Sequence, residues 1–216
     1  FFEENEATAI YTSTVTAEGT FRFEDLDPEV GSQFAVQVTY RGVPYLSEPG
    51  MLQAAGADGV EVRVYEVTED DANVLVEQAH LFLVPRGEVM QVAEIYSISN
   101  TGDRTYVGLQ ASDDVTPADV RTTLSFSLPE EAETLSFRDG EFGSRYVGDA
   151  RAFADTRPVP PGTTPVEIGF NYVLPNEAGL RITQTLKVPV QSALLILTGE
   201  GLALAGEGLT FNGDLD

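Results

Sequence analysis

The sequence predicts an all-β protein, built as two tandem β-sandwich domains. Three observations carry that expectation. Apolar residues alternate with polar ones in several short runs, the two-residue period of a half-buried strand. Thr, Val and Tyr recur in those runs, between clusters of Gly, Pro, Asn and Asp that mark turns. No long stretch repeats at the spacing of an amphipathic helix. The 216 residues are 42% hydrophobic, with 12 Phe and 8 Tyr. That suffices for a sizeable core and is too apolar for a disordered acidic tail.

The elements follow in order. Residues 7–16, A-T-A-I-Y-T-S-T-V-T, are rich in β-branched side chains and read as a first strand. Strands are expected at 20–24, 33–40 and 59–67, the last with Val60, Val62 and Val64 on one face. The 47–58 stretch is a loop by its Pro and Gly content. The acidic run V-T-E-D-D-A at 67–72 is the best boundary, and divides the chain into 1–66 and 67–216.

Beyond that boundary, a pair of long strands at 74–84 and 89–99 is joined by P-R-G-E. Asn100-Thr101-Gly102-Asp103 supplies a turn, and R-T-Y-V-G-L resumes the strand pattern. Thr122, Leu124, Phe126 and Leu128 alternate cleanly up to Pro129. After a loop-rich middle, Val166, Ile168, Phe170, Tyr172 and Leu174 share one face. Residues 180–190 are expected to pair with that strand across P-N-E-A-G. The C-terminus repeats G-E-G-L, at 199–202 and again at 206–209, which suggests two short strands. A doublet of this kind is not a solenoid.

Residues 19–45 read G-T-F-R-F-E-D-L-D-P-E-V-G-S-Q-F-A-V-Q-V-T-Y-R-G-V-P-Y. They resemble the carboxypeptidase-regulatory-like (transthyretin-like) domain, where G-x-F-x-F-x-x-L leads into a strand ending in aromatic-x-Gly. In that family the pattern sits in mid-domain, after one or two strands. Only eighteen residues precede it here, so the resemblance implies a module lacking some of its N-terminal edge. The N-T-G-D turn and the L-P-E-E-A segment at 128–132 look like those of bacterial secreted and surface proteins carrying such a module. An immunoglobulin-like domain accompanies it there, and the strand density of 67–216 suits a Greek-key sandwich of that kind.

The formal charge is −23, from 35 acidic and 12 basic residues, of which only Lys187 is a lysine. Such a surface repels a phosphate backbone, so nucleic acid is not an expected partner, and anionic membranes are disfavoured alike. The acids are dispersed, which reads as a solvated surface that keeps a strand-rich protein soluble. Cysteine is absent, which removes thiolate metal sites, redox chemistry and a cysteine nucleophile. The most apolar run, 193–197, is far too short to span a membrane, so no membrane insertion is expected.

His80 is the only histidine, and no G-x-S-x-G elbow accompanies it. A histidine at a strand margin outweighs a catalytic one, and no catalytic set or cofactor site is recognisable. Paired carboxylates abound, yet nothing singles out one pair, and no Trp builds a sugar platform. Calcium is the one ion whose oxygen ligands the sequence supplies, at Asp25, Asp27 and Glu29 and at Asp70 and Asp71. None of these matches the D-x-[DN]-x-[DN]-G loop, so turn chemistry outweighs metal binding.

Three functions compete: a hydrolase accessory chain, a cell-surface adhesin or glycan-binding module, and a structural subunit. The last is favoured. Open sheet edges present unpaired N–H and C=O groups that a strand from a neighbour satisfies, and a head-to-tail contact propagates as a filament. The expected partner is the chain itself, outside the cell or on its surface. Expected contact residues are Phe1, Phe2, Ile10, Tyr11 and Val15 at the N-terminal donor. Leu202, Leu204, Leu209 and Phe211 form the alternative donor.

Overall fold

The computed structural model describes residues 9–24, 26, 29, 31–53, 59–110, 120–162, 164–199, 210 and 213. No helix occurs among them: the protein is all-β. The chain divides into two compact units, Phe1–Val64 and Tyr65–Asp216.

The first unit contains four short strands: β1 (Gln33–Phe34), β2 (Gln37–Tyr40), β3 (Val43–Leu46) and β4 (Gly50–Met51). β2 and β3 form a hairpin in which Tyr40 faces Val43, so the turn is Arg41-Gly42. Both turn residues have positive φ, 53° and 80°, the geometry whose twist matches a two-residue hairpin. β1 pairs with β4. Val36, Val43 and Tyr45 are buried, and the Val36 N–H donates to Ser47 Oγ at 3.0 Å.

Besides the segment at 7–16, described below, two strands expected before residue 68 do not form as ladders. Residues 20–24 keep the alternation, with Phe21 and Phe23 half-buried and packed edge to face, ring centres 6.0 Å apart, yet pair with no described strand. Of residues 59–67 only the last enters a strand, β5 (Val67–Thr68). Val60 and Val62 are half-buried beside exposed neighbours, but Val64, expected on the same face, is exposed, so the alternation holds only in part and marks no hydrogen-bonded ladder.

The second unit continues with β6 (Val74–Arg86), β7 (Val89–Asn100), β8 (Thr105–Tyr106), β9 (Leu109–Gln110), β10 (Arg121–Thr122) and β11 (Leu124–Ser127). There follow β12 (Glu133–Phe137), β13 (Tyr146–Gly148), β14 (Ala152–Asp155), β15 (Val166–Pro175) and β16 (Ala193–Leu197). A five-stranded sheet has the order β12-β15-β7-β6-β16, and a three-stranded sheet the order β11-β14-β13. β5 pairs with β8, and β9 with β10.

The β6–β7 hairpin organises this unit. Arg86 faces Val89 across Gly87-Glu88, with Gly87 at φ 63°. The register slips between Val76 and Gln78, so Glu77 is an extra, exposed residue on β6. A one-residue bulge exchanges the two faces of a strand. Val74 and Val76 are accordingly buried before it, and Ala79 and Leu83 after it. β7 has no bulge and keeps one parity throughout: Met90, Val92, Glu94, Tyr96 and Ile98 all point into the core.

The two larger sheets share that core. Phe126 of β11 and Phe153 of β14 lie 5.2 and 5.0 Å from Phe170 of β15, ring centre to ring centre. Tyr96 of β7 lies 5.1 Å from Phe126. Each fully buried aromatic of this kind contributes about 1.5–3 kcal/mol through the area it removes from water.

Residues 180–190 do not pair with β15. That strand already has β12 on one side and β7 on the other, so no backbone edge is left for it. The segment instead crosses as extended chain, with Leu180, Ile182 and Leu186 packed on the core and Val188 buried. It reaches a ladder only at Val190, bridged to Val76, and then runs into β16, parallel to β6.

Candidate functional site

Of the residues expected to touch a neighbouring subunit, Ile10, Tyr11 and Val15 are described. Phe1, Phe2, Leu202, Leu204, Leu209 and Phe211 lie outside the described residues. Residues 9–20 are exposed throughout, Ile10 to 83% and Val15 to 45%. Residues 9–16 are uncharged and β-prone, yet they join no ladder among the described strands. Over its described residues, 9–16, the first strand expected at 7–16 therefore lies outside any described sheet. It ends in a turn, where the Thr16 N–H donates to the Thr20 carbonyl at 2.8 Å and the Gly19 N–H donates to the Thr16 carbonyl at 3.0 Å.

A complementary feature escaped the sequence. β16 is the apolar run A-L-L-I-L, which read only as too short for a membrane span. It pairs with β6 on one side, and no described strand lies on the other. Leu194 and Ile196 stand opposite His80 and Phe82, which in turn stand opposite Ile95 and Ala93. These six share the outer face of the sheet; Leu194 is exposed and the others are half-buried. His80 packs its ring edge on Phe82 at 6.3 Å. Among the described residues, no helix is long and apolar enough to cross a membrane.

The acidic clusters serve turns. Asp25 and Asp27 lie outside the described residues; Glu29 is exposed, and its carbonyl accepts the Ser32 N–H at 3.0 Å. Asp70 Oδ1 accepts the Ala72 N–H at 3.0 Å, an Asx turn, and the Asp71 carbonyl accepts the Val74 N–H at 2.8 Å. Among the described residues no three His, Asp or Glu side chains gather to hold a metal.

Two buried polar clusters hold the second unit together. Glu94 is 1% exposed, and Tyr96 and Tyr172 both donate their hydroxyls to its carboxyl group, Tyr172 at 2.7 Å. Burial first, and the nearby Glu94 second, push both phenols far above the usual tyrosine range, so they remain donors. A carboxylate on the inward parity of M-x-V-x-E-x-Y-x-I was legible as a buried acid in need of partners. Its partners were not.

The second cluster is ionic. Arg145 is 8% exposed and Asp155 is fully buried. Arg145 Nη1 donates to Asp139 Oδ2 at 3.0 Å, and Nη2 donates to the Glu167 carbonyl at 2.6 Å. Arg157 Nη2 meets the same Asp139 oxygen at 2.8 Å, and this bond, more than any other cause, holds the Asp139 carboxyl below its ordinary range. Beside them the buried Tyr146 hydroxyl has no hydrogen-bond partner among the described residues. Its ring stacks on Phe137 at 3.9 Å.

A cleft of about 190 Å³ is lined by Asp71, Tyr106, Thr122, Ser125 and Lys187, among others. Burial first, and then the charge of Asp71, raise the Tyr106 phenol. No histidine lines the cleft, and Leu109, Leu124, Leu186 and Val188 make its walls as apolar as they are polar. The exposed N-terminal segment and the β16 edge with no described strand beside it are the two β-prone, uncharged features of the described residues. No protein-family model and no curated protein matches the chain.

Proposed function

We propose that this chain is a structural subunit of an extracellular, cell-surface assembly, polymerising head to tail by addition of a β-strand from one copy to a sheet of the next. One observation carries the proposal: residues 9–16 are an uncharged, β-prone segment, exposed and outside every described ladder. Exposed β-branched chain outside a ladder gains most by joining a sheet. In the same proposal the first unit is a carboxypeptidase-regulatory-like module. The second is an immunoglobulin-like sandwich, supported by the two sheets that share its core.

Negative-stain electron microscopy of the full chain, with light scattering on the same sample, tests the proposal. Fibres that survive heat and detergent support it. A monodisperse 23.3 kDa monomer at all concentrations would refute it.

A further inference from the structure

We infer that the acceptor for this strand addition is the outer edge of β16, and that its occupant is residues 9–16 of a second copy of the chain. The inference rests on the strand-addition proposal and names the surface on which it acts.

The backbone defines the edge. The Ser192 carbonyl accepts the Ala79 N–H at 2.9 Å, and the Thr198 N–H donates to the Leu83 carbonyl at 3.0 Å. Backbone groups of a strand repeat every two residues, so the even-numbered residues of β16 face β6. The N–H and C=O groups of Ala193, Leu195 and Leu197 consequently face away from it. They form a row of three donors and three acceptors with no described strand beside it.

The other edges of the two larger sheets are protected in the usual ways. β12 begins at Glu133, after Glu130 and Glu131, and its register breaks between Glu133 and Ser136. β13 is three residues long and ends at Gly148 with φ 112°. β11 runs out at Leu128-Pro129, where Pro129 has no N–H to offer. β16 has no charge, no proline and no bulge.

Charge selects the occupant. Two copies of a chain at −23 repel each other, so a stable contact must bring together segments without acid. Residues 9–16, A-I-Y-T-S-T-V-T, carry none, and neither do residues 191–198, Q-S-A-L-L-I-L-T. Length fits as well: eight extended residues span about 26 Å, enough to cover the roughly 17 Å of β16. Ile10 would exchange water for the apolar surface around Leu194 and Ile196, and Val15, on the opposite face of the added strand, for that around Ala193 and Leu195.

The absence of cysteine makes the test clean. Val15→Cys and Ala193→Cys chains, one of them isotopically labelled, are mixed under assembly conditions and oxidised. The expected product is the mixed disulfide, exceeding either homodisulfide by about tenfold, because docking raises the local thiol concentration. Ala193→Pro supplies the second measurement. It deletes an outward N–H at an exposed alanine, so the unit keeps its melting temperature and loses its fibres. Wild-type fibres without the mixed disulfide, and with Ala193→Pro assembling normally, would overturn the edge assignment and leave strand addition standing. Preferential cross-linking of Ala193→Cys to Leu204→Cys would also overturn it, by making the C-terminal segment the occupant. No multimer of the wild type under any condition removes the inference together with the proposal beneath it.

Discussion

Arg145 grips Asp155 inside the second unit, with Nη2 2.6 Å and Nε 3.0 Å from the same Oδ2 oxygen. Asp155 Oδ1 in turn accepts the Arg157 backbone N–H at 2.8 Å. Removing one partner leaves a buried charge uncompensated, which costs about 3–5 kcal/mol. Arg145→Met is therefore expected to destabilise by that amount in urea titrations. Arg145→Met with Asp155→Leu is expected to lose much less than the two single changes summed. Additive losses would show that the pair is not coupled.

Glu94 presents the same asymmetry with neutral donors. Tyr172→Phe removes one bond and should cost about 1 kcal/mol, whereas Glu94→Leu strands two phenols in the core and should cost about 1–3 kcal/mol each. Glu94→Leu combined with Tyr96→Phe and Tyr172→Phe leaves no orphan, and is expected to recover most of the loss. Thermal denaturation of the three variants checks the order.

Tyr146 predicts the alkaline limb of the stability curve. Burial is the main cause that pushes its phenol up to about 12 from an ordinary 10.0. A raised phenol favours the folded state below pH 10 and loses that contribution as pH rises through the folded value. Tyr146→Phe should be neutral or stabilising at pH 7, since its hydroxyl has no partner, and should flatten the loss above pH 10. At the acid end the sign reverses. The depressed Asp139 carboxyl stabilises above its ordinary 3.8 and loses that as pH falls below it. Asp139→Asn is expected to be less acid-sensitive below about pH 4 than the wild type.

Two glycines separate backbone strain from collision. Gly143 and Gly148 both have positive φ, 81° and 112°. A Cβ at Gly143 would meet nothing within 4 Å, but at Gly148 it would stand 2.3 Å from the Ala152 carbonyl oxygen. Gly143→Ala should cost about 1 kcal/mol from φ alone, and Gly148→Ala about 3 kcal/mol or more. Equal melting temperatures for the two would contradict the packing described at the β13–β14 turn.

Assembly should strengthen with salt. Raising ionic strength from 0.01 to 1 M shortens the screening length from about 30 to about 3 Å. Repulsion between copies at −23 then fades, while apolar contacts at an edge strand do not. Sedimentation across that range should show more polymer at each step. Dissolution of fibres by salt would mean that ion pairs hold them instead.

How far the fold could be read in advance depended on what each pattern measures. The alternation of Val166 to Leu174 became β15, and that of residues 180–190 became extended chain with the same buried parity. Periodicity reports the direction of side chains and is silent on backbone partners, which the neighbouring strands decide. The bulge at Glu77 was not visible, because Leu75, Phe82 and Val84 are apolar on the opposite parity to the buried Val76 and Leu83, and only the register with β7 reveals the extra residue. Arg145 and Asp155 were not visible as a pair: both sit among ordinary charged residues, and only the fold brings them together. β16 was legible as apolar but not as an edge, since its parallel partner lies near the start of the unit.

That parallel pairing has a mechanical consequence. β6 enters the five-stranded sheet at Val74 and β16 leaves it at Leu197, side by side and pointing the same way. Tension between those two points pulls the strands along their common axis in opposite directions. All five pairs from Ala193–Ala79 to Leu197–Leu83 are then loaded together, in shear, and cannot open one after another like a zipper. A chain stretched through this unit would meet its resistance there first.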